Sequence, residues 1–272
     1  MLSVRERDAA DIHFNVPRPV DAHVHVGSWE RWGLGFYLED LVDTMDEWNY
    51  DGAVVTPALV GPVLAANQSL QRLVRERTPA GRRLFFFPWL HVKTLMGSPV
   101  QEEADGLLAY FERNSREIHG LKYHAPITQM SIQAPPFAPF LEYAALRRLP
   151  ILYHCGRNPL SWADRLQPIM NSYPEVPFIM AHLGGNAYDR IVETMETFKT
   201  APPNLYVETS TARHPALLAR AFAHYGRERM LFGTDLPFTD QRLNFDCLRY
   251  SGVVLDRDFM GGNLLRLMSN TR

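Results

Sequence analysis

Two histidines separated by one residue stand near the start of the chain, in the segment Val-Asp-Ala-His-Val-His-Val. Alternate side chains of a β-strand point to the same face, so His23 and His25 are expected on one side of such a strand. A lone histidine is more often a hydrogen-bonded core residue, whereas paired imidazoles are typical ligands of zinc and related ions. The spacing therefore predicts a divalent metal site.

Three further residues of metal-ligating or proton-transferring type follow later apolar runs. His154 and His182 end two such runs, and Asp235 follows another in Phe-Gly-Thr-Asp-Leu-Pro. Taken alone, each histidine could be a core residue and Asp235 a turn residue or a helix cap. Because all three follow apolar runs, we favour the interpretation that they belong to one site together with His23 and His25.

The elements that must position these residues repeat along the whole chain. Eight short β-rich runs are found at Val20–Val26, Ala53–Thr56, Leu84–Leu90, Gly120–Tyr123, Ile151–His154, Phe178–His182, Leu205–Thr209 and Met230–Gly233. Stretches with helical periodicity separate them, the clearest at 38–48. This alternation predicts an α/β fold, a (β/α)₈ TIM barrel, in which side chains at the carboxyl ends of different strands converge. We expect residues 1–272 to form a single domain, with 1–17 as an N-terminal extension.

Composition excludes several other classes of function. Hydrophobic residues make up 46% and charged residues 21%, and the net charge is −2, so no basic surface for nucleic acid is predicted. No segment reaches the ~18 apolar residues of a membrane helix, and the N-terminus lacks the apolar core of a signal peptide. The two cysteines are too few for a disulfide framework. These features predict a cytoplasmic protein that neither binds nucleic acid nor enters a membrane.

The order of motifs adds a family resemblance that spans nearly the whole chain. The motifs are the His-x-His pair, Gly-Leu-Lys-Tyr-His, His154, His182 with Leu-Gly-Gly, Phe-Gly-Thr-Asp-Leu-Pro and the closing Gly-Asn-Leu-Leu-Arg-Leu. With them the chain resembles the amidohydrolase superfamily, specifically the amidohydrolase-related group that includes aminocarboxymuconate semialdehyde decarboxylase. The resemblance implies a metal-dependent barrel enzyme acting on a small molecule, and a homodimer.

The resemblance also implies roles for the predicted site residues. His23, His25, His154 and Asp235 would hold one divalent metal ion, with zinc expected first and manganese, iron or cobalt as alternatives. His182 would lie outside the metal ligands and orient or deprotonate a bound water. Asp235 would take the proton released on attack and return it to the product.

Five residues are predicted to bind substrate. They are Lys122, His124, Arg157, Arg213 and Trp29. Lys122 could instead pair with a buried carboxylate, or be carbamylated and bridge two metals as in some superfamily members. His124 could be an ordinary loop residue, the arginines surface residues, and Trp29 an aromatic that packs a loop onto a helix.

The sequence does not decide which bond of the substrate is broken. The first prediction is a metal-dependent hydrolase that cleaves an amide, lactone or ester-like bond of a small, carboxylated substrate. The alternative is a non-oxidative, metal-dependent decarboxylase of an unsaturated or aromatic carboxylic acid. A second alternative, from another class, is a metal-binding barrel without catalysis.

Overall fold

The computed structural model describes residues 16–58, 61–92 and 100–271. Strands and helices alternate along these residues. The strands are β1 (Val20–Trp29), β2 (Leu34–Phe36), β3 (Gly52–Pro57), β4 (Arg83–Phe86), β5 (Leu121–Tyr123), β6 (Ile151–Tyr153), β7 (Phe178–Met180), β8 (Leu205–Glu208) and β9 (Met230–Leu231). The helices are α1 (Leu38–Glu47), α2 (Val63–Arg77), α3 (Val100–Arg113), α4 (Ala125–Thr128), α5 (Ala138–Arg147), α6 (Gln167–Ser172), α7 (Tyr188–Thr197), α8 (Pro215–Tyr225), α9 (Gln241–Ser251) and α10 (Asn263–Ser269).

The strands form two ladders, in the orders β2-β1-β3-β4 and β5-β6-β7-β8-β9. Every pairing is parallel except that of β1 with β2. Isolated parallel bridges join the ladders at both seams, Trp89 to Lys122 at one and Val24 to Leu236 at the other. Eight parallel strands thus follow one another around a TIM barrel, which confirms the predicted fold class.

The buried core consists of two clusters, because side chains along each strand point alternately to the two faces of the sheet. Val54, Leu152 and Ile179 belong to a small buried cluster that also contains residues of α10, whereas their strand neighbours pack in the large cluster with the helices. Side chains that alternate along a strand point to opposite faces. The small cluster is therefore the barrel interior, and α10 covers its lower end.

Two features of the barrel differ from the sequence prediction. The short strand β2 was not predicted; it pairs with the end of β1 through Gly27–Phe36 and Trp29–Leu34. The predicted strand 84–90 ends at Phe86, two residues before Pro88, which has no N–H to donate to a ladder.

Of the predicted N-terminal extension 1–17, residues 1–15 lie outside the described residues. No described helix is both long and apolar enough to cross a membrane.

Candidate active site

Three predicted metal ligands meet at the carboxyl end of the barrel. The Nε2 atoms of His23 and His25 are 3.1 Å apart. Oδ1 of Asp235 lies 3.3 Å from each of these nitrogens. All three residues are buried. The backbone N–H of Asp235 donates to the carbonyl of His23 at 2.8 Å, which ties the two chain segments together.

The donor set fits a divalent metal. Two ligand atoms about 2.0–2.1 Å from a tetrahedral zinc are separated by roughly 3.3 Å, which is close to the three separations found here. Two imidazoles and one carboxylate suit zinc, iron or cobalt, and are compatible with manganese. The three side chains could therefore hold one ion together.

The electrostatic environment keeps the imidazoles in the form that binds metals. Burial, followed by the charge of Lys122, holds the pKa of His23 well below its usual value. Burial also lowers the pKa of His25, although Asp235 opposes this effect. Burial raises the pKa of Asp235, but its hydrogen bond with His25 and nearby positive groups outweigh this and lower the pKa overall. Neutral imidazoles and an ionised carboxylate are the states a metal requires.

A buried carboxylate that the sequence analysis missed orients His23. Glu208, the last residue of β8, accepts from Nδ1 of His23 at 3.0 Å through Oε1. The same carboxylate accepts from the backbone N–H of His182 and from both the N–H and the hydroxyl of Ser210. Because Nδ1 of His23 donates to Glu208, its Nε2 is left with a lone pair directed at His25 and Asp235. The available signal was an acidic residue ending an apolar run, Leu-Tyr-Val-Glu.

Asp21 is a second buried carboxylate that supports the site. Its Oδ1 accepts from the backbone N–H groups of His23 and Thr234, and its Oδ2 accepts from the Thr234 hydroxyl at 2.6 Å. Thr234 immediately precedes Asp235 in the chain. Asp21 therefore fixes the relative position of two metal-ligating segments.

Backbone strain occurs at two predicted site residues. His182 and Asp235 have φ values of 60° and 62°, in the left-handed region that residues other than glycine rarely adopt. Such conformations persist where surrounding contacts enforce them, and they are concentrated at functional sites. At both positions the backbone N–H is held by a buried acceptor, Glu208 for His182 and the His23 carbonyl for Asp235.

His182 and His154 form a second group of imidazoles beside the first. Nδ1 of His182 contacts the Ser210 hydroxyl at 2.7 Å, and its Nε2 lies 3.1 Å from Nδ1 of His154. The ring of His154 stacks on that of His124 with 3.7 Å between centroids. Among the described residues, two sets have ligand atoms that all lie within 4.8 Å of one another: His23, His25 and Asp235, and His23, His182 and Glu208; neither contains His154.

Lys122 projects into the barrel interior from β5 and is fully buried. Its Nζ lies 2.7 Å from Nε2 of His23. Burial lowers its pKa to about 8, against the opposing effect of the negative charges of Asp235 and Glu208. The amine is thus placed beside the candidate metal ligands, where it can reach a group bound to them.

A cavity of about 960 Å³ opens above these residues. Its polar floor contains His25, His124, His154 and Asp235. The remaining lining residues are mostly apolar: Trp29, Glu30, Trp32, Leu34, Gly61, Trp89, Ile127 and Phe238. Trp29, a predicted substrate-binding residue, packs edge-on against Phe238 with 5.0 Å between ring centroids. The arrangement can hold a flat molecule with its polar group at the floor.

The structure does not bring the two predicted arginines into this cavity. Arg157 and Arg213 are exposed and are not among the cavity-lining residues. The carbonyl of Arg157 accepts from Trp162 in the loop after β6, whereas the charge of Arg213 acts on the Cys247 thiol of α9 in the outer helical layer. Position after a strand was therefore insufficient to place an arginine at the barrel mouth.

Comparison with protein families gives a match over most of the chain. The amidohydrolase family model matches residues 20–253. The chain belongs to the amidohydrolase family. It is therefore an enzyme of the hydrolase or carboxy-lyase type, and the resemblance drawn from its motifs is confirmed. No curated protein matches the sequence.

Several solved structures share the fold of this amidohydrolase. The 5-carboxyvanillate decarboxylase of Sphingomonas paucimobilis matches with a TM-score of 0.68 and 13% identity, covering 93% of this chain and 99% of that one. A dihydroxybenzoic acid decarboxylase from Polaromonas sp. JS666, with bound manganese and the inhibitor 2-nitroresorcinol, gives 0.69 and 16%, covering 93% and 97%. A Burkholderia multivorans amidohydrolase with bound zinc gives 0.67 and 12%, covering 93% and 99%. Metal ions thus occur in proteins of this fold.

Proposed function

We propose that this amidohydrolase is a metal-dependent, non-oxidative decarboxylase of an aromatic or otherwise planar unsaturated carboxylic acid. The observation that carries the proposal is the aromatic-walled cavity, whose floor is formed by candidate metal ligands. Flat apolar walls select a planar substrate, and polar groups confined to one end orient it. The decarboxylases among the structural neighbours support this choice over hydrolysis.

The proposed cofactor is one divalent ion, zinc first, held by His23, His25 and Asp235. Three protein ligands leave a coordination position for substrate, as catalytic sites require. His154 lines the same cavity and is proposed as a further ligand, in which case the substrate would take a fifth coordination position. When bound, the ion supplies Lewis-acid chemistry that orients the substrate and stabilises negative charge.

The residues of this chain supply substrate binding and proton transfer. In decarboxylation the bond between the ring carbon and the carboxyl carbon breaks, carbon dioxide leaves, and the electron pair kept by the ring carbon takes a proton. Lys122 is proposed to donate to the substrate carboxylate, since its amine lies beside the metal ligands. Asp235 borders the cavity, and its ionised carboxylate is proposed to take a proton from solvent water and pass it to the ring carbon. His182 is proposed to position His154, because its Nε2 lies 3.1 Å from Nδ1 of that ring.

The proposal is tested with zinc- and manganese-loaded protein and two aromatic acids, 2,6-dihydroxybenzoate and 5-carboxyvanillate. Carbon dioxide release is measured in deuterium oxide. We expect release together with one deuterium on the ring carbon that carried the carboxylate, and neither in the Asp235→Asn variant. Turnover of lactones or esters with no release of carbon dioxide from any aromatic acid would contradict the proposal.

Hydrolysis is the second candidate, and one observation favours it. The Asp235 carboxylate is ionised and borders the cavity floor, where it can accept a proton from an attacking water. Oxygen-18 from solvent water appears in the product of hydrolysis, whereas decarboxylation leaves the aromatic product unlabelled. Incubation of lactones and esters alongside the aromatic acids in oxygen-18 water therefore separates the two reactions.

A further inference from the structure

The cavity has an outer part that a single substrate ring on the floor does not fill. An engineered cavity of about 150 Å³ accommodates one benzene molecule, so about 960 Å³ is several times the space one ring needs. The polar side chains His25, His154 and Asp235 all lie at the inner end. The outer end is bordered by Trp32, which is 65% exposed, and by partly exposed apolar side chains.

Aromatic rings lead from the floor to this outer end in two steps. The ring of His25 lies 5.6 Å from that of Phe238, and Phe238 lies 6.1 Å from Trp32, both edge-on. Ile127, 40% exposed, also lines the cavity. A large exposed indole is covered favourably by another flat apolar group. The outer end is therefore a second apolar subsite, continuous with the first.

We propose that the substrate is elongated, with a carboxylated planar unit on the floor and a second, uncharged planar unit against Trp32 and Phe238. This inference rests on the proposed function for the inner unit only. Glu30, also in the lining, disfavours a second anionic group at the mouth. Trp32 is then a specificity-determining residue, because it contacts the part of the substrate farthest from the reacting bond.

The test compares two probes that share a metal-chelating head, benzohydroxamic acid with one ring and 4-phenylbenzohydroxamic acid with two. Dissociation constants are measured by calorimetry on zinc-loaded protein. We expect the two-ring probe to bind about tenfold tighter. Trp32→Ala should weaken the two-ring probe about tenfold and leave the one-ring probe unchanged. Tyr250→Ala removes a comparably exposed aromatic side chain outside the cavity, and it should change neither constant.

Equal binding of the two probes, or an equal loss of both in Trp32→Ala, would overturn the inference. A further pair without a chelating head, phenol and 4-phenylphenol, separates it from the proposed function. If the metal centre is wrongly assigned, neither hydroxamate will depend on zinc, yet 4-phenylphenol will still bind in a Trp32-dependent manner. If 4-phenylphenol binding is independent of Trp32 while the hydroxamates require zinc, the second subsite is wrong and the metal centre stands.

Discussion

Glu208 orients the proposed metal ligand His23 and does not belong to the proposed ligand set. Its substitution therefore tests whether a residue behind a ligand controls metal affinity. It is fully buried and does not line the cavity above the site, but it accepts the Nδ1 hydrogen bond of His23 at 3.0 Å. Burial raises the pKa of Glu208 to about 7, and in Glu208→Gln the side chain keeps its shape but can no longer ionise. The amide oxygen can still accept from His23, but more weakly, so His23 becomes a poorer ligand.

The expected loss of zinc affinity can be judged from other hydrogen-bond partners of metal ligands. Loss of such a partner typically lowers metal affinity about 10- to 100-fold, equivalent to about 1.4–2.7 kcal/mol. The new amide group also turns a donor towards the backbone N–H of Ser210, which now donates to the carboxylate at 2.5 Å. One buried unsatisfied donor costs about 1–3 kcal/mol, so the metal-free variant should also unfold more easily.

The assay is titration of metal-free protein with zinc against a chromophoric chelator, with thermal unfolding of the same metal-free samples. Glu142→Gln, at an exposed position on α5, is the matched control and should bind zinc like the parent protein. Gly233→Ala provides an independent test, because a Cβ at that position would meet the Glu208 carboxylate. Zinc affinity of Glu208→Gln within twofold of the parent protein, in a folded sample, would refute the reasoning.

Three further outcomes follow from the same geometry. Asp235→Asn should lower zinc affinity by at least about 100-fold with an unchanged circular dichroism spectrum, and one zinc per chain retained after gel filtration would contradict its role as a ligand. Lys122→Met should keep one metal per chain while KM for an aromatic acid rises about 10- to 100-fold, since a charge-assisted hydrogen bond is worth about 1.5–3 kcal/mol; a fall from two metals to one, by elemental analysis, would instead indicate a bridging carbamate. Cys155 and Cys247 should resist alkylation up to pH 9 until the protein unfolds, because both are buried and burial raises the pKa of both thiols; rapid modification of either cysteine in folded protein, located by mass spectrometry, would contradict this.

The fold could be predicted because each strand of the barrel appears in the sequence as a short apolar run. Parallel strands covered on both faces are largely apolar, and each of the eight predicted runs overlaps a strand. Strand ends were less predictable, since Pro88 ends a ladder without ending an apolar run. The strand β2 has only three residues, Leu-Gly-Phe, and its pairing depends on a turn through Gly33 with φ of 60°.

The sequence predicted which residues lie near one another in the site, but it did not predict which atoms of their side chains are in contact. The carboxyl ends of strands converge in any such barrel, so placing His23, His25 and Asp235 together required only the strand order. Side-chain direction depends on local backbone conformation, which the sequence pattern does not specify. His182 has left-handed backbone, and its ring contacts Ser210 and His154.

The residues proposed for chemistry and those proposed for substrate selection lie on different parts of the chain. The candidate metal ligands lie on β1 and after β9, where buried Asp21 holds the backbone of both segments and buried Glu208 holds the His23 ring. Much of the cavity wall instead comes from the turn between β1 and β2 and the strand residues that flank it, including Trp29, Trp32 and Leu34. Residues of this turn can change without disturbing the hydrogen bonds of Glu208. The metal centre could therefore be retained while changes in one hairpin alter the substrate that reaches it.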